Sequence, residues 1–229
     1  MIGSLGYLMN CSRPDIAFAV GKLGLYAACP SEKHLIAVKH VFRYIKSITD
    51  ACMVIGGYRD QIPPVSAYFD ASFADDMDDR RSTFGYTIQF GRTTILWKSK
   101  KYRSVTLSTT DSEYVAATET TREISWIQNI FEEMGIPLKL PITLYGDNEN
   151  ANGLANNVTV SNRTRHIALR ERYVTEKVLA YHFVHSSSIK WFTLTLTLTL
   201  TLTLTLTLIL ILILILIPKT AAAIFAYIY

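Results

Sequence analysis

The spacing of apolar residues changes several times along the chain. From the start to about residue 48 it is helical. After Pro14, the residues Ile16, Ala19, Val20, Leu23 and Tyr26 fall at helical intervals. Cys29-Pro30-Ser31 interrupts the pattern. Ser31 is a good N-cap for a second helix, with Leu35, Val38, Phe42 and Ile45 facing inward. Gly56-Gly57 and Pro63-Pro64 bracket a polar stretch, which places a domain boundary there. From Val65 the period falls to two. VSAYFD reads as a strand that stops at Asp70. Phe84 to Phe90 and Thr94 to Trp97 read as two more strands, joined by a turn at Gly91-Arg92, with Ser104 to Leu107 extending the meander. Near Asp111 the helical period returns. Its inward positions are Tyr114, Ala117, Ile124, Ile127, Phe131 and Met134, and Gly135 is a natural C-cap. ITLYG at 142–146 is a strand that ends at Asp147. A shorter helix runs through Ala151 and Leu154, a further helix reaches toward Val178, and AYHFV forms the last strand. This order predicts an α/β fold of the α+β mixed-sheet kind, with helices on the sheet faces.

A different pattern begins at Thr193. Through Ile217 the chain holds 12 Leu, 8 Thr and 5 Ile in strict alternation. This block lifts the mean hydropathy to +0.20. The remainder is near neutral, which excludes a polytopic membrane protein. The block looks like translated simple-sequence DNA. Its Thr-Leu half has strand period, and its Leu-Ile half is prone to β-aggregation. Leu194 to Ile217 is long enough to span a bilayer, which makes a membrane a minor candidate partner. Against that, threonine interrupts half of it, and the unbroken apolar run is confined to Leu208–Ile217.

Composition and charge refine this picture. With 229 residues, 49% hydrophobic and 18% charged, the chain can form one or two globular domains. Net charge is +4. That excess is compatible with nucleic acid and does not establish it. Cys11, Cys29 and Cys52 lack metal-ligand spacing and read as buried thiols in a reducing compartment. The N-terminal sequence has no basic segment followed by a long apolar core, so no signal peptide is visible. A cytoplasmic or nuclear location is expected.

Three acidic residues stand where chemistry is expected. Asp70 and Asp147 lie at the C-terminal ends of strands, and Glu113 lies in the first turn of the long helix. Converging carboxylates are the oxygen ligands that Mg²⁺ requires. A metal pair about 3.5–4 Å apart activates water in phosphodiester cleavage. A plainer reading stands beside this one. Thr110 to Glu113 matches a capping box, Asp70 can open a turn, and Asp147-Asn148 can cap a helix.

Further motifs bear on the choice. SRPDIAFAV at 12–20, YFDASFADDMDDRRSTFGY at 68–86, WKSKK at 97–101, LSTTDSEYVAATE at 107–119, LYGDNENA at 144–151 and RTRHI at 163–167 occur in one order. In that order and spacing the chain resembles the C-terminal part of a copia-type LTR retrotransposon Pol polyprotein. The matching region is the end of the reverse transcriptase segment followed by the ribonuclease H domain. The resemblance implies a ribonuclease H-like fold with a five-stranded mixed sheet. It implies domains at 1–60 (a helical reverse transcriptase remnant) and 65–190 (ribonuclease H-like), then the 193–217 repeat and a tail at 218–229. It implies Asp70, Glu113 and Asp147 as catalytic ligands of Mg²⁺ or Mn²⁺, and hydrolysis of the RNA strand of an RNA–DNA hybrid. Gly146 stands where that family commonly has cysteine.

Lys98, Lys100, Lys101, Arg103, Arg163 and Arg165 are the candidate phosphate contacts, against the alternative of a solvated basic face. The rest of the polyprotein is the implied protein partner. Asp75, Asp76, Asp78 and Asp79, beside Arg80-Arg81, read as a loop with local ion pairs. Two departures imply reduced activity. Ala168 occupies the place of a fourth family carboxylate, and the repeat replaces the family's usual ending. The alternatives are a non-catalytic nucleic-acid-binding remnant, or a membrane-anchored or aggregating pseudogene product.

Overall fold

The structure, a computed structural model, describes residues 1–50, 52–56, 64–148 and 181–185, the last of these as backbone. The expected helices within 151–178, Arg163, Arg165, Ala168 and the 193–217 repeat lie outside the described residues. All described residues belong to one compact unit, Met1–Ser187.

Three helices open the chain: α1 (Ile2–Cys11), α2 (Ala17–Gly24) and α3 (Glu32–Ser47). Pro14 starts a 3₁₀ turn, Pro14–Ile16, that leads into α2. Ser31 caps α3, and its backbone N–H donates to His34 Nδ1 at 3.0 Å. Leu5, Ile16, Val20, Val38 and Val41 form a small core. Leu35, expected inward, is 44% exposed. It lies in the first turn of α3, outside the small core that Val38 and Val41 join.

The sheet contains β1 (Val65–Ser72), β2 (Thr83–Phe90), β3 (Thr93–Lys101), β4 (Ile142–Gly146) and β5 (Tyr181–His185). Its order is β3-β2-β1-β4-β5. β1, β2 and β3 pair antiparallel, whereas β4 lies parallel to β1 and β5 parallel to β4. This is the five-stranded mixed sheet of a ribonuclease H-like fold. The crossover from β3 to β4 carries the helix α4 (Thr109–Glu133). Ser104–Leu107 is not a strand. β3 runs on to Lys101 instead, because every residue of β2 back to Thr83 finds a partner there. The β2–β3 register shifts between Ile88 and Gln89, which leaves Ile95 as the extra, bulged residue of β3.

Alternation fixes the faces. Val65, Ala67, Phe69, Phe84, Tyr86 and Ile88 form one core with Tyr114, Ala117, Ile124 and Ile127 of α4. The first half of α4 is polar yet buried, from Asp111 through Thr118. Its hydroxyls explain how. Thr118, Thr120 and Thr121 donate to the carbonyls of Tyr114, Ala116 and Ala117 at 2.7–2.8 Å, so these three hydroxyls are satisfied within the helix. Met134, expected inward, is 56% exposed, because it lies just past the helix's last turn.

The cysteines depart from expectation. Cys11, Cys29 and Cys52 are free and exposed rather than buried. They sit at the end of α1 and in connecting segments, where no core exists to cover them. Among the described residues, no helix is long and apolar enough to cross a membrane.

Ile124→Ala removes a side chain that is 0% exposed. It is expected to cost about 2–5 kcal/mol in urea unfolding. Asn129→Ala, at an exposed position of the same helix, is expected to stay within about 0.5 kcal/mol.

Candidate metal centre

The parallel register builds the site. Ser66 pairs with Thr143, Ala67 with Leu144 and Tyr68 with Tyr145. The stacked rings of Tyr68 and Tyr145, 4.9 Å between centroids, mark this alignment. Continuing the register by two residues sets Asp70 level with Asp147. β4 ends at Gly146, so Asp147 stands at the open end of the sheet.

α4 supplies the third carboxylate. Its N-cap is Ser108, whose side chain accepts from the Asp111 N–H at 3.0 Å. Asp111 Oδ2 in turn accepts from the Leu107 N–H at 2.9 Å. The cap therefore lies two residues earlier than the Thr110–Glu113 box, and Glu113 is released from that duty. Both Ser108-x-x-Asp111 and Thr110-x-x-Glu113 fit the capping pattern, so the sequence motif did not distinguish them. Glu113 points back to the sheet instead. Its Oε1 accepts from the Ala71 N–H at 3.2 Å. Residue type carries no signal for this bond, because Ala71 contributes through its backbone alone.

Carboxylate oxygens of Asp70, Glu113 and Asp147 lie within 4.8 Å of one another. Glu113 is 5% exposed, and its Oε2 has no hydrogen-bond partner among the described residues. Burial, then the negative charges of Asp70 and Asp147, push the Glu113 carboxyl up to about 9. Asp70 is also raised, first by burial and then by Asp147. Three acids that repel one another in a partly dry site need a cation to be ionised together. The unpartnered Oε2 supplies a free oxygen ligand for it. The donor set is all oxygen, which suits a hard divalent ion such as Mg²⁺ or Mn²⁺.

The basic candidates separate by strand alternation. Lys98 lies opposite Tyr86 and Lys100 opposite Phe84, on the α4 side of the sheet. Lys98 Nζ sits 3.4 Å from Glu123 and 5.9 Å over the Tyr86 ring. Lys100 and Arg103 are exposed. Lys101 points to the opposite side, where its ammonium lies 2.8 Å from both Asp76 and Asp79. It is committed to an ion-pair network, unlike Lys100. The acidic loop is paired as expected but mostly not locally: besides Arg81, its partners are Lys101 and Lys22 of α2.

No protein-family model matches the chain. The chain is 40% identical over 177 residues to the retrovirus-related Pol polyprotein from transposon TNT 1-94 of Nicotiana tabacum. That match covers 77% of this chain and 13% of the polyprotein. It is 36% identical over 190 residues to the corresponding polyprotein from transposon RE2 of Arabidopsis thaliana, covering 82% of this chain and 13% of that protein. Among solved structures, LC11-RNase H1, isolated from compost by a metagenomic approach, aligns with a TM-score of 0.43 and 13% identity. That alignment covers 55% of this chain and 85% of the enzyme. The sheet order and the carboxylate cluster define a ribonuclease H-like domain. The chain belongs to the copia-type retrotransposon Pol polyproteins, and it spans about an eighth of the length of the curated relatives it matches.

The raised Glu113 carboxyl has a pH consequence for the metal-free protein. The folded state holds this proton more tightly than the unfolded state, whose glutamate titrates at about 4.3. Its contribution to stability is therefore complete below about pH 4.3 and is lost as pH rises toward about 9. Thermal unfolding in chelator should show Tm falling across that window, and Glu113→Gln should flatten the fall.

Proposed function

We propose that the ribonuclease H-like domain hydrolyses the RNA strand of RNA–DNA hybrids, using Mg²⁺ or Mn²⁺ held by Asp70, Glu113 and Asp147. The convergence of these three carboxylates around the unpartnered Glu113 Oε2 carries this reading. A bound divalent ion supplies activation of water and stabilisation of the leaving oxygen in phosphodiester cleavage.

The chain's own residues do the remaining work. The β1–β4 register sets the spacing of Asp70 and Asp147. The Ser108–Asp111 cap fixes the start of α4 and hence the height of Glu113 above Ala71. Lys100 and Arg103, exposed near the end of β3, are suited to contact hybrid phosphates, with Lys98 beside them on the same face as Lys100. Arg163 and Arg165 extend this basic set in sequence. Ala168, in the place of a fourth carboxylate, lowers metal affinity and rate. In the full polyprotein the domain works beside the reverse transcriptase, which feeds it the hybrid.

The purified chain is expected to shorten the RNA strand of a labelled RNA–DNA hybrid in Mg²⁺ or Mn²⁺, and not in EDTA. Asp70→Asn and Glu113→Gln should each abolish that cleavage, and cleavage by Asp70→Asn at the parent rate would overturn the site assignment. Ala168→Asp should raise the rate. Hybrid binding with a clear salt dependence and no cleavage would instead select a nucleic-acid-binding remnant.

A further inference from the structure

The loop that follows Asp70 is held from outside the sheet. It leaves β1 at Ser72 and returns at Thr83. Ala74 and Arg80 take left-handed backbone angles, with φ of +50° and +55°. Neither is glycine, so the loop is strained unless other contacts hold it. Some contacts are local: the Ala74 N–H donates to Ser82 Oγ and the Arg80 N–H to the Asp76 carbonyl, both at 3.0 Å, and Lys101 pairs with Asp76 and Asp79. Others come from the N-terminal helices. Lys22 of α2 places its ammonium 2.8 Å from Asp75 and 3.4 Å from Asp76. The Tyr26 hydroxyl, just past α2, donates to Asp78 at 2.9 Å. Asp76 is 5% exposed, and its bond to Lys101 holds its carboxyl well below the usual range.

The connection to the site is short. Asp75 Oδ2, the oxygen nearest Lys22, also accepts from the Thr83 hydroxyl at 3.0 Å. Thr83 pairs with Ser72, and the adjacent pair is Ala71 with Phe84. The Ala71 N–H is the donor to Glu113. Lys22 thus reaches the carboxylate cluster through one side chain, one hydroxyl and one strand pair.

We infer that Lys22 is a positioning residue: it fixes the β1–β2 loop, and with it the Ala71 amide and Asp70, so the N-terminal helices are a working part of the site. Its importance for cleavage rests on the nuclease reading above, but its effect on the loop does not. When Lys22 is removed, the buried Asp76 keeps Lys101, whereas Asp75 keeps only the Thr83 hydroxyl and loses its counter-charge, with its Oδ1 buried and without a hydrogen-bond partner among the described residues. Some loss of stability is therefore expected, and Lys22→Arg, which keeps the charge, separates that loss from positioning.

The test uses the full chain without metal. Amide hydrogen exchange at residues 71–74 is compared among wild type, Lys22→Met, Lys22→Arg and the exposed control Arg43→Met. Lys22→Met should speed exchange at 71–74 by about tenfold, as loss of a charge-assisted contact implies. Lys22→Arg should restore protection, Arg43→Met should change nothing, and α1 and β4 should stay protected in all four. Unchanged exchange at 71–74, or a uniform rise across the chain, overturns the inference. Titration with Mn²⁺ separates the two readings. If wild type binds no Mn²⁺, the metal-centre reading fails while exchange still decides the role of Lys22. If wild type binds Mn²⁺ and Lys22→Met binds it equally well, the positioning of Asp70 is refuted.

Discussion

Parallel pairing of β1 with β4 is the constraint on which the rest depends. β4 runs in the same direction as β3 and lies beyond β2 and β1, so a long crossover must link the two. That crossover is α4. Packing α4 against β1 and β2 buries the core and simultaneously lowers Glu113 onto the end of β1. The register then sets Asp70 beside Asp147. A slip of one residue would turn Asp70 to the opposite face of the sheet. The same hydrogen bonds therefore define both the fold and the spacing of the acids.

This arrangement gathers like charges where water is scarce. The surrounding structure must hold them against their repulsion. The satisfied hydroxyls of α4, the Ser108–Asp111 cap and the Ala71 amide all serve that end. The helix start contributes as well, since the N-terminal end of a helix favours negative charge. None of these contacts removes the repulsion. They keep the oxygens converged in spite of it.

Much of this was legible in the sequence. The period of two in VSAYFD and FGYTIQF and the helical period after Asp111 reproduce β1, β2 and α4 closely, because burial on one face enforces periodicity. Asp70, Glu113 and Asp147 stood out through their places at element ends. What was not legible is what depends on partners distant in the chain. Leu35 matches the helical face, yet it stands exposed in the first turn of α3. Lys101 belongs to a basic run in sequence, but strand alternation sends it to Asp76 and away from Lys100. The acidic run looked locally paired, whereas its partners include Lys101 of β3 and Lys22, which lies more than fifty residues earlier. Backbone contributors such as the Ala71 amide leave no trace in residue type at all.

The bulge at Ile95 has a consequence for assembly. β3 is the outermost strand of the sheet on its side, and a regular outer strand offers its free amides and carbonyls to other chains. The extra residue twists β3 and breaks the even spacing that a docking strand would need. Lys98 and Lys100 add charge along the same strand. The β3 margin is thus poorly suited to growth by strand addition.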